Sequence, residues 1–281
     1  MKRCVILGHR GMLGSCLRGH VQGAAAGWKV DGYDYPEIDI TDADSVAGLF
    51  DKEPPDILLN CAAWTDVDGA ESHVEEAFRV NSVGPELLSH AARRTGAILV
   101  HVSTDFVFDG AKKSPYVEDD PPAPATAYGK SKLAGELAVA SIAAHHLIVR
   151  TAWLYGPGGR NFVDTILQAA REGRDLKVVD DQRGSPTFTG MLSRTIWRLV
   201  TAGARGTYHV AGRGACTWYE LACSALELAG IEADITPVGT SEFPRPAPRP
   251  PNSVLDCSKA EAFLGGKLPG WQEGLREYLI G

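Results

Sequence analysis

Three glycines at fixed spacing constrain this chain more than any other feature. The short apolar run Cys4 to Leu7 ends at Gly8, and Gly11 and Gly14 follow at intervals of three. Residues 2–7 read as a buried strand and Met12 to His20 as the helix after it, so the glycines occupy a strand–turn–helix corner. Glycine there lets the chain turn tightly, lets the backbone approach a phosphate, and lets the helix pack closely on the strand. The spacing differs from the dinucleotide fingerprint G-x-G-x-x-G by one residue in the first gap, but the physical logic is the same. Gly8, Arg10, Gly11, Met12 and Leu13 are therefore assigned to a nucleotide cofactor.

Further apolar runs recur at Trp28 to Tyr33, Asp56 to Cys61, Ala97 to Val102 and Leu147 to Arg150, with helical patterns between them, notably Val74 to Thr95. Parallel strands need crossover connections, so this alternation predicts an α/β fold with a doubly wound, Rossmann-like parallel sheet. The division expected is a nucleotide-binding domain over residues 1–153 and a smaller, mainly substrate-binding lobe over 154–281, with some later residues returning to the main sheet. In that second part helices are expected around Asn161 to Glu172 and Met191 to Thr201, and strands at Leu176 to Val179 and Thr207 to Val210. Capping boxes pair Thr217 with Glu220 and Ser258 with Glu261. The proline-bearing segment Asp109 to Thr126 reads as a loop bordering the site. Phe243 to Pro251 reads as an extended linker; alternatively, Arg245 or Arg249 meets a substrate phosphate.

Charge and cysteine usage narrow the function classes. With 28 basic and 35 acidic residues the net charge is -7, which offers no basic surface to nucleic acid or an anionic membrane. No stretch approaches the roughly 18 apolar residues of a membrane span. The six cysteines form no C-x-x-C pair and no metal-ligand spacing, so they read as reduced thiols in a cytoplasmic protein, with no metal site.

The remaining motifs point to a carbonyl and a reductant. Asp34 stands twenty residues after Gly14 at the end of the second predicted strand, where an acid binds a ribose 2′-hydroxyl and favours NADH. Arg10 argues for NADPH, since a guanidinium in the glycine loop can meet a 2′-phosphate. The choice stays open at this point. Asp39 and Ile40 are candidates for the adenine, and Cys61, Ala62 and Ala63 leave room for a cofactor at a strand end. Thr104 and Asp105 should emerge at the carboxyl edge of the sheet, where a hydroxyl can hold a carbonyl. Tyr128 and Lys132, four apart on a helix, share one face, and an ammonium there favours the phenolate.

These residues carry a family resemblance. The glycine loop, Ser103 to Gly110, Tyr128-Gly-Lys-Ser-Lys132 and Arg79-Val-Asn-Ser82 resemble the extended short-chain dehydrogenase/reductases. Asn60 to Glu71, Arg150 to Gly156, Asn161-Phe162, Asp181 to Pro186 and Asn252 to Asp256 are similar to the dTDP-4-dehydrorhamnose reductase group within them. The glycine loop itself looks like that of the GDP-fucose synthases, and Phe106 stands where the group often has Tyr. The resemblance implies reduction of the C4 keto group of a nucleotide-linked 4-keto-6-deoxy sugar by NADPH or NADH. Tyr128 would protonate the C4 oxygen, Lys132 would hold the nicotinamide ribose and lower the phenol's pKa, and Thr104 would hydrogen-bond the carbonyl. Val67, Asp105, Trp153 and Asn161 would meet the nucleotide sugar. A homodimer is compatible with it. Two other readings are a reductase for a different deoxysugar and a non-catalytic subunit of the methionine adenosyltransferase beta type. The intact Thr104, Tyr128 and Lys132 set argues against the second.

Overall fold

The computed structural model describes residues 1–281. Its first half alternates strand and helix: β1 (Lys2–Leu7), α1 (Met12–Ala24), β2 (Trp28–Tyr33), α2 (Ala43–Lys52), β3 (Ile57–Asn60), α3 (Val74–Phe78), α4 (Gly84–Thr95), β4 (Ile98–Thr104), α5 (Ala127–Ile142) and β5 (His146–Thr151). The second half follows with β6 (Leu154–Tyr155), α6 (Phe162–Arg171), β7 (Leu176–Val179), β8 (Arg183–Gly184), β9 (Thr187–Phe188), α7 (Thr189–Thr201), β10 (Gly206–His209), β11 (Cys216–Thr217), α8 (Trp218–Ala229), β12 (Ile235–Val238), α9 (Ser258–Leu264) and α10 (Trp271–Ile280). Six strands form one parallel sheet in the order β10-β5-β4-β3-β1-β2. The order reverses between β1 and β3, and ligands of such sheets bind outside the carboxyl ends at that point.

Two cores form because successive strand residues face opposite ways. Cys4 and Ile6, Ile57 and Leu59, Val100, Leu147 and Val149 face one core, which α1 closes with Leu13, Leu17 and Val21 and α7 with Leu192, Ile196 and Leu199. Val5 and Leu7, Leu58, Leu99 and Ile148 face the other, under Val46 and Phe50 of α2, Leu88 of α4 and Val139 of α5. Both faces of the sheet are therefore apolar, as the continuous strand runs require. The fourth strand runs two residues beyond Val102, because Ser103 and Thr104 pair in register with Arg150 and Thr151. That extension carries Thr104 to the sheet edge.

The helical pattern over Val74 to Thr95 is not one uniform helix. A π-helical turn at Arg79–Val83 separates α3 from α4. Asn81 sits in it and bonds away from its own helix: its Oδ1 accepts the Trp64 N–H at 2.9 Å, and its Nδ2 donates to the Trp64 carbonyl and the Ser131 hydroxyl, each at 3.0 Å. This widened turn thus anchors both the loop after β3 and the helix that carries Tyr128. π-bulges of this kind concentrate at functional sites.

Residues after 153 build a third core and also contribute to the first. Tyr155, Val163, Leu167, Leu176, Leu221, Ala225, Trp271 and Leu275 pack together around the small pairs β7–β12, β8–β11 and β6–β9. Meanwhile β10 extends the main sheet and Leu255, Cys257 and Leu268 join its first core. Thr217 and Glu220 make the expected capping box, with reciprocal bonds of 3.1 and 2.8 Å. Ser258 and Glu261 do not. Ser258 is already the first helical residue and its hydroxyl turns to Asp256, while the buried Glu261 carboxylate accepts from the Leu268 N–H and Lys267. Residues 109–126 lack regular structure apart from a single bridge between Tyr116 and Leu255, but they lie against residues 252–256 and supply no wall of the main cleft. The expectation that this loop borders the main cleft is corrected on that ground.

Candidate active site

A cleft of about 1260 Å³ opens along the carboxyl edge of the sheet, from the glycine loop to the third core. Ligand pockets usually hold about 300 to 1,000 Å³, so this one is larger than a single small ligand needs. At its first end Gly8 has φ +72°, and a Cβ on it would come within 2.7 Å of the Ala62 nitrogen. A Cβ on Gly14 would come within 2.1 Å of the Gly8 carbonyl oxygen. The corner therefore closes only with glycine at both positions. The first bond of α1 is Ser15 N–H to Gly11 O, and no side chain caps the helix, so the N–H groups of Met12, Leu13 and Gly14 face the cleft mouth without an intrahelical partner. This is a cradle for an anion.

The residues expected around a cofactor divide in two. Gly8, Gly11, Met12, Leu13, Asp34, Asp39, Ile40, Cys61, Ala62 and Ala63 line the cleft, whereas Arg10 does not. The Arg10 guanidinium is held by Glu37 at 2.9 Å. Asp39 is engaged locally: hydrogen bonds from the Thr41 hydroxyl and N–H, at 2.7 and 2.9 Å, keep its carboxyl below the usual range.

At the centre of the cleft, α5 is pressed against the turn after β4. Thr126 caps α5 by accepting the Gly129 N–H at 2.9 Å, and the Ala127 N–H donates to Glu71 at 2.8 Å. A Cβ on Gly129 would come within 2.2 Å of the Phe106 carbonyl oxygen, so this glycine lets the two segments touch. Tyr128 then meets Phe106 edge to face, with ring centroids 5.7 Å apart, and lies beside the Thr104 hydroxyl. Thr104 itself donates to Asp105 Oδ1 at 3.0 Å and accepts the Phe106 N–H at 3.2 Å. Lys132, 2 % exposed, donates from Nζ to the Val102 carbonyl at 2.7 Å. Thr104, Asp105, Tyr128 and Lys132 all line the cleft.

Burial dominates the titration of this group. It pushes the Tyr128 phenol up to about 12, against which the Thr104 hydroxyl pulls downward. It also pulls Lys132 down to about 8, with Glu136 and Cys61 acting the other way. The net shift of the phenol runs opposite to the lowering expected from the ammonium, because desolvation dominates and the lysine is bonded to the strand carbonyl. Asp105, 2 % exposed, rises to about 6 through burial, opposed by the hydroxyls of Ser253 and Thr104.

The far wall comes from the second half of the chain. Trp153 follows β5 with φ +48°, a left-handed conformation rare for a bulky residue. Its indole stacks on Trp218 at 3.5 Å with 4° between planes, and Trp218 Nε1 donates to Gln182 at 3.1 Å. Trp218 and Gln182 line the cleft; Gln182 lies in the Asp181 to Pro186 stretch of the resemblance but was not singled out, and Trp218 carried no sequence signal beyond the cap at Thr217. Val67 lines it as well. Its neighbour Asp68 accepts both terminal nitrogens of Arg249, at 2.9 and 2.8 Å, and stands 3.9 Å from Arg245. The proline-rich segment is thereby tied across the cleft. Asn161 is not part of the wall: it is buried and caps α6, its Oδ1 accepting the Asp164 N–H at 3.0 Å and its Nδ2 donating to Gly156 O and Asp164.

A glycine-cradled helix N-terminus at the switch point of a parallel sheet, opening onto a buried Thr–Tyr–Lys group, defines a nucleotide-binding α/β protein of the Rossmann-like class. The chain belongs to the RmlD substrate binding domain family, whose model matches residues 1–280. It is 40% identical to the spore coat polysaccharide biosynthesis protein SpsK of Bacillus subtilis, across 99% of this chain and 97% of that one. It is also 40% identical to a dTDP-4-dehydrorhamnose reductase of Streptomyces griseus, across 98% and 92%. The crystal structure of a dTDP-4-dehydrorhamnose reductase from Bacillus anthracis, in complex with NADP, superposes with a TM-score of 0.95 at 37% identity, covering 100% of this chain and 99% of that one.

Proposed function

We propose that the chain reduces the C4 keto group of a nucleotide-linked 4-keto-6-deoxy sugar with NAD(P)H, converting dTDP-4-dehydro-L-rhamnose to dTDP-L-rhamnose. The observation that carries this reading is the buried Tyr128 phenol beside the Thr104 hydroxyl, in a cleft that begins at an uncapped, glycine-cradled helix N-terminus. The cradle fits a dinucleotide: Gly8, Gly11, Met12 and Leu13 would hold its diphosphate, Asp34 the adenosine ribose, Asp39 and Ile40 the adenine, and Cys61, Ala62 and Ala63 would leave it passage. When bound, NAD(P)H supplies the hydride that C4 receives.

The protein's own part is positioning and proton transfer. Thr104 turns its one O–H proton from Asp105 to the carbonyl oxygen, and Tyr128 delivers its phenolic proton to that oxygen as negative charge develops there. A phenol whose pKa lies near 12 is fully protonated at neutral pH, so the acid form is always loaded. The Lys132 ammonium would hold the nicotinamide ribose. Val67 and Trp153 wall the sugar, and Arg245 is the guanidinium offered to the sugar diphosphate, since Arg249 is held by Asp68. Residues 1–153 accordingly serve mainly the cofactor and 154–281 mainly the sugar nucleotide, in the cytoplasm.

The test is oxidation of NADPH or NADH by purified protein on addition of dTDP-4-dehydro-L-rhamnose, with the alcohol formed in equal amount. Turnover of a different 4-keto sugar nucleotide, with none of this one, would contradict the substrate assignment.

A further inference from the structure

The adenosine end of the cleft carries a closed ring of contacts that nucleotide binding alone does not require. Asp34, directly after β2, accepts the Arg10 backbone N–H through Oδ2 at 3.1 Å, tying the glycine loop to the strand end. Its Oδ1 accepts the Tyr35 N–H at 3.0 Å. Glu37 closes the ring: Oε1 accepts from the Arg10 guanidinium at 2.9 Å, and Oε2 accepts the Asp34 N–H at 3.3 Å. The loop's other side chain, His9, packs over Gly32, where a Cβ would come within 2.6 Å of its ring, and shares Nδ1 with Arg18. Arg10 is left beside Asp34 with its charge engaged by Glu37.

NADH and NADPH differ only by a phosphate on the ribose that an acid at this strand end receives. Asp34 uses one bond on each oxygen, and a carboxylate offers about four acceptor sites, so it can still take the hydroxyls of an unphosphorylated ribose. A 2′-phosphate would meet two carboxylates there and a guanidinium already paired. Resting on the reductase reading above, we infer that Glu37 sets cofactor choice: by holding Arg10 it withholds the cation a 2′-phosphate needs and biases the protein toward NADH. The pair is open to water, with side chains 57% and 47% exposed, and an ion pair this exposed shifts an equilibrium by at most about fivefold. The latch therefore disfavours NADPH without excluding it.

The experiment measures dissociation constants for NADH and NADPH, by quenching of protein fluorescence, in the parent, Glu37→Gln and Glu37→Gln/Arg10→Ala. Glu37→Gln is expected to tighten NADPH by up to about fivefold while NADH stays within about twofold, and the second substitution should remove that gain. An unchanged NADPH-to-NADH ratio in a Glu37→Gln protein that still binds both cofactors overturns the inference alone, as does a gain that persists without Arg10. A parent that binds neither cofactor overturns the reductase reading and this inference with it.

Discussion

Replacing Lys132 with Met should make the protein more stable and less active at once. The ammonium is buried with one hydrogen-bond partner, the Val102 carbonyl, and burial lowers its pKa from 10.5 to about 8. A gap of that size opposes folding by roughly 3 kcal/mol wherever the lysine is charged in both states. Methionine has a similar length and no charge, and losing the donor to Val102 costs about 1 kcal/mol, which leaves a net gain of about 2 kcal/mol near neutral pH. The sign follows from the direction of the shift. A base whose folded pKa lies below its unfolded one burdens the fold fully below about pH 8, progressively less as pH rises, and not at all above 10.5. Buried thiols and Tyr128, whose pKa values are raised, weaken both proteins alike as pH climbs, so the lysine's part shows in the difference: the variant's advantage over the parent should shrink across that window. Urea denaturation of both proteins without cofactor, at neutral pH and at about pH 10, measures the difference. A variant less stable than the parent at neutral pH, or a gap that does not change with pH, would refute the reasoning. Loss of turnover in the same variant separates the lysine's function from its cost to stability.

Other substitutions probe the two ends of the cleft. Trp153→Ala removes an indole that packs on the first and third cores and stacks on Trp218, so unfolding free energy should fall by about 2 to 3 kcal/mol and apparent affinity for the nucleotide sugar should drop while NADPH binding stays near parental. A destabilised variant with normal sugar binding would leave only a packing role. Arg10→Ala should weaken NADPH by about threefold, less than a free guanidinium would give because Glu37 competes for it, and leave NADH nearly unchanged. Equal loss for both cofactors would show that Arg10 does not read the phosphate. Asp68→Asn frees Arg249 from its paired carboxylate and loosens the proline segment, so KM for the sugar nucleotide should rise by about tenfold with little change in Tm. A large fall in Tm with an unchanged KM would mean that the pair holds the fold and not the substrate.

The main sheet was legible because its strands are apolar on both faces and its first turn is punctuated by glycine, two signals that survive without tertiary context. The Tyr128/Lys132 spacing was legible for the same reason: helical periodicity alone puts both residues on one face. What the sequence hid depends on long-range partners. The π-helical turn at Arg79–Val83 exists because Asn81 bonds to Trp64 and Ser131, neither of them near it in the chain. Glu261 matches a capping-box spacing, yet Leu268 and Lys267 draw its carboxylate away from Ser258. The strands β6, β8, β9 and β11 span two residues each and have no periodicity to detect. Asn161 stands next to the cleft in sequence terms, but its amide is consumed by the cap of α6. The direction of the phenol's pKa shift needed the burial of Tyr128, which no local pattern reveals.

Turnover by Tyr128→Phe tests the central claim most directly, because that substitution removes the transferable proton and almost nothing else. The ring keeps its edge-to-face contact with Phe106, so Tm and NADPH affinity should stay near parental. The kcat for dTDP-4-dehydro-L-rhamnose should fall by about 10²- to 10⁴-fold, the usual contribution of a general acid. Reduction at the parental rate by a folded, cofactor-binding Tyr128→Phe protein would contradict the assignment of Tyr128 as proton donor.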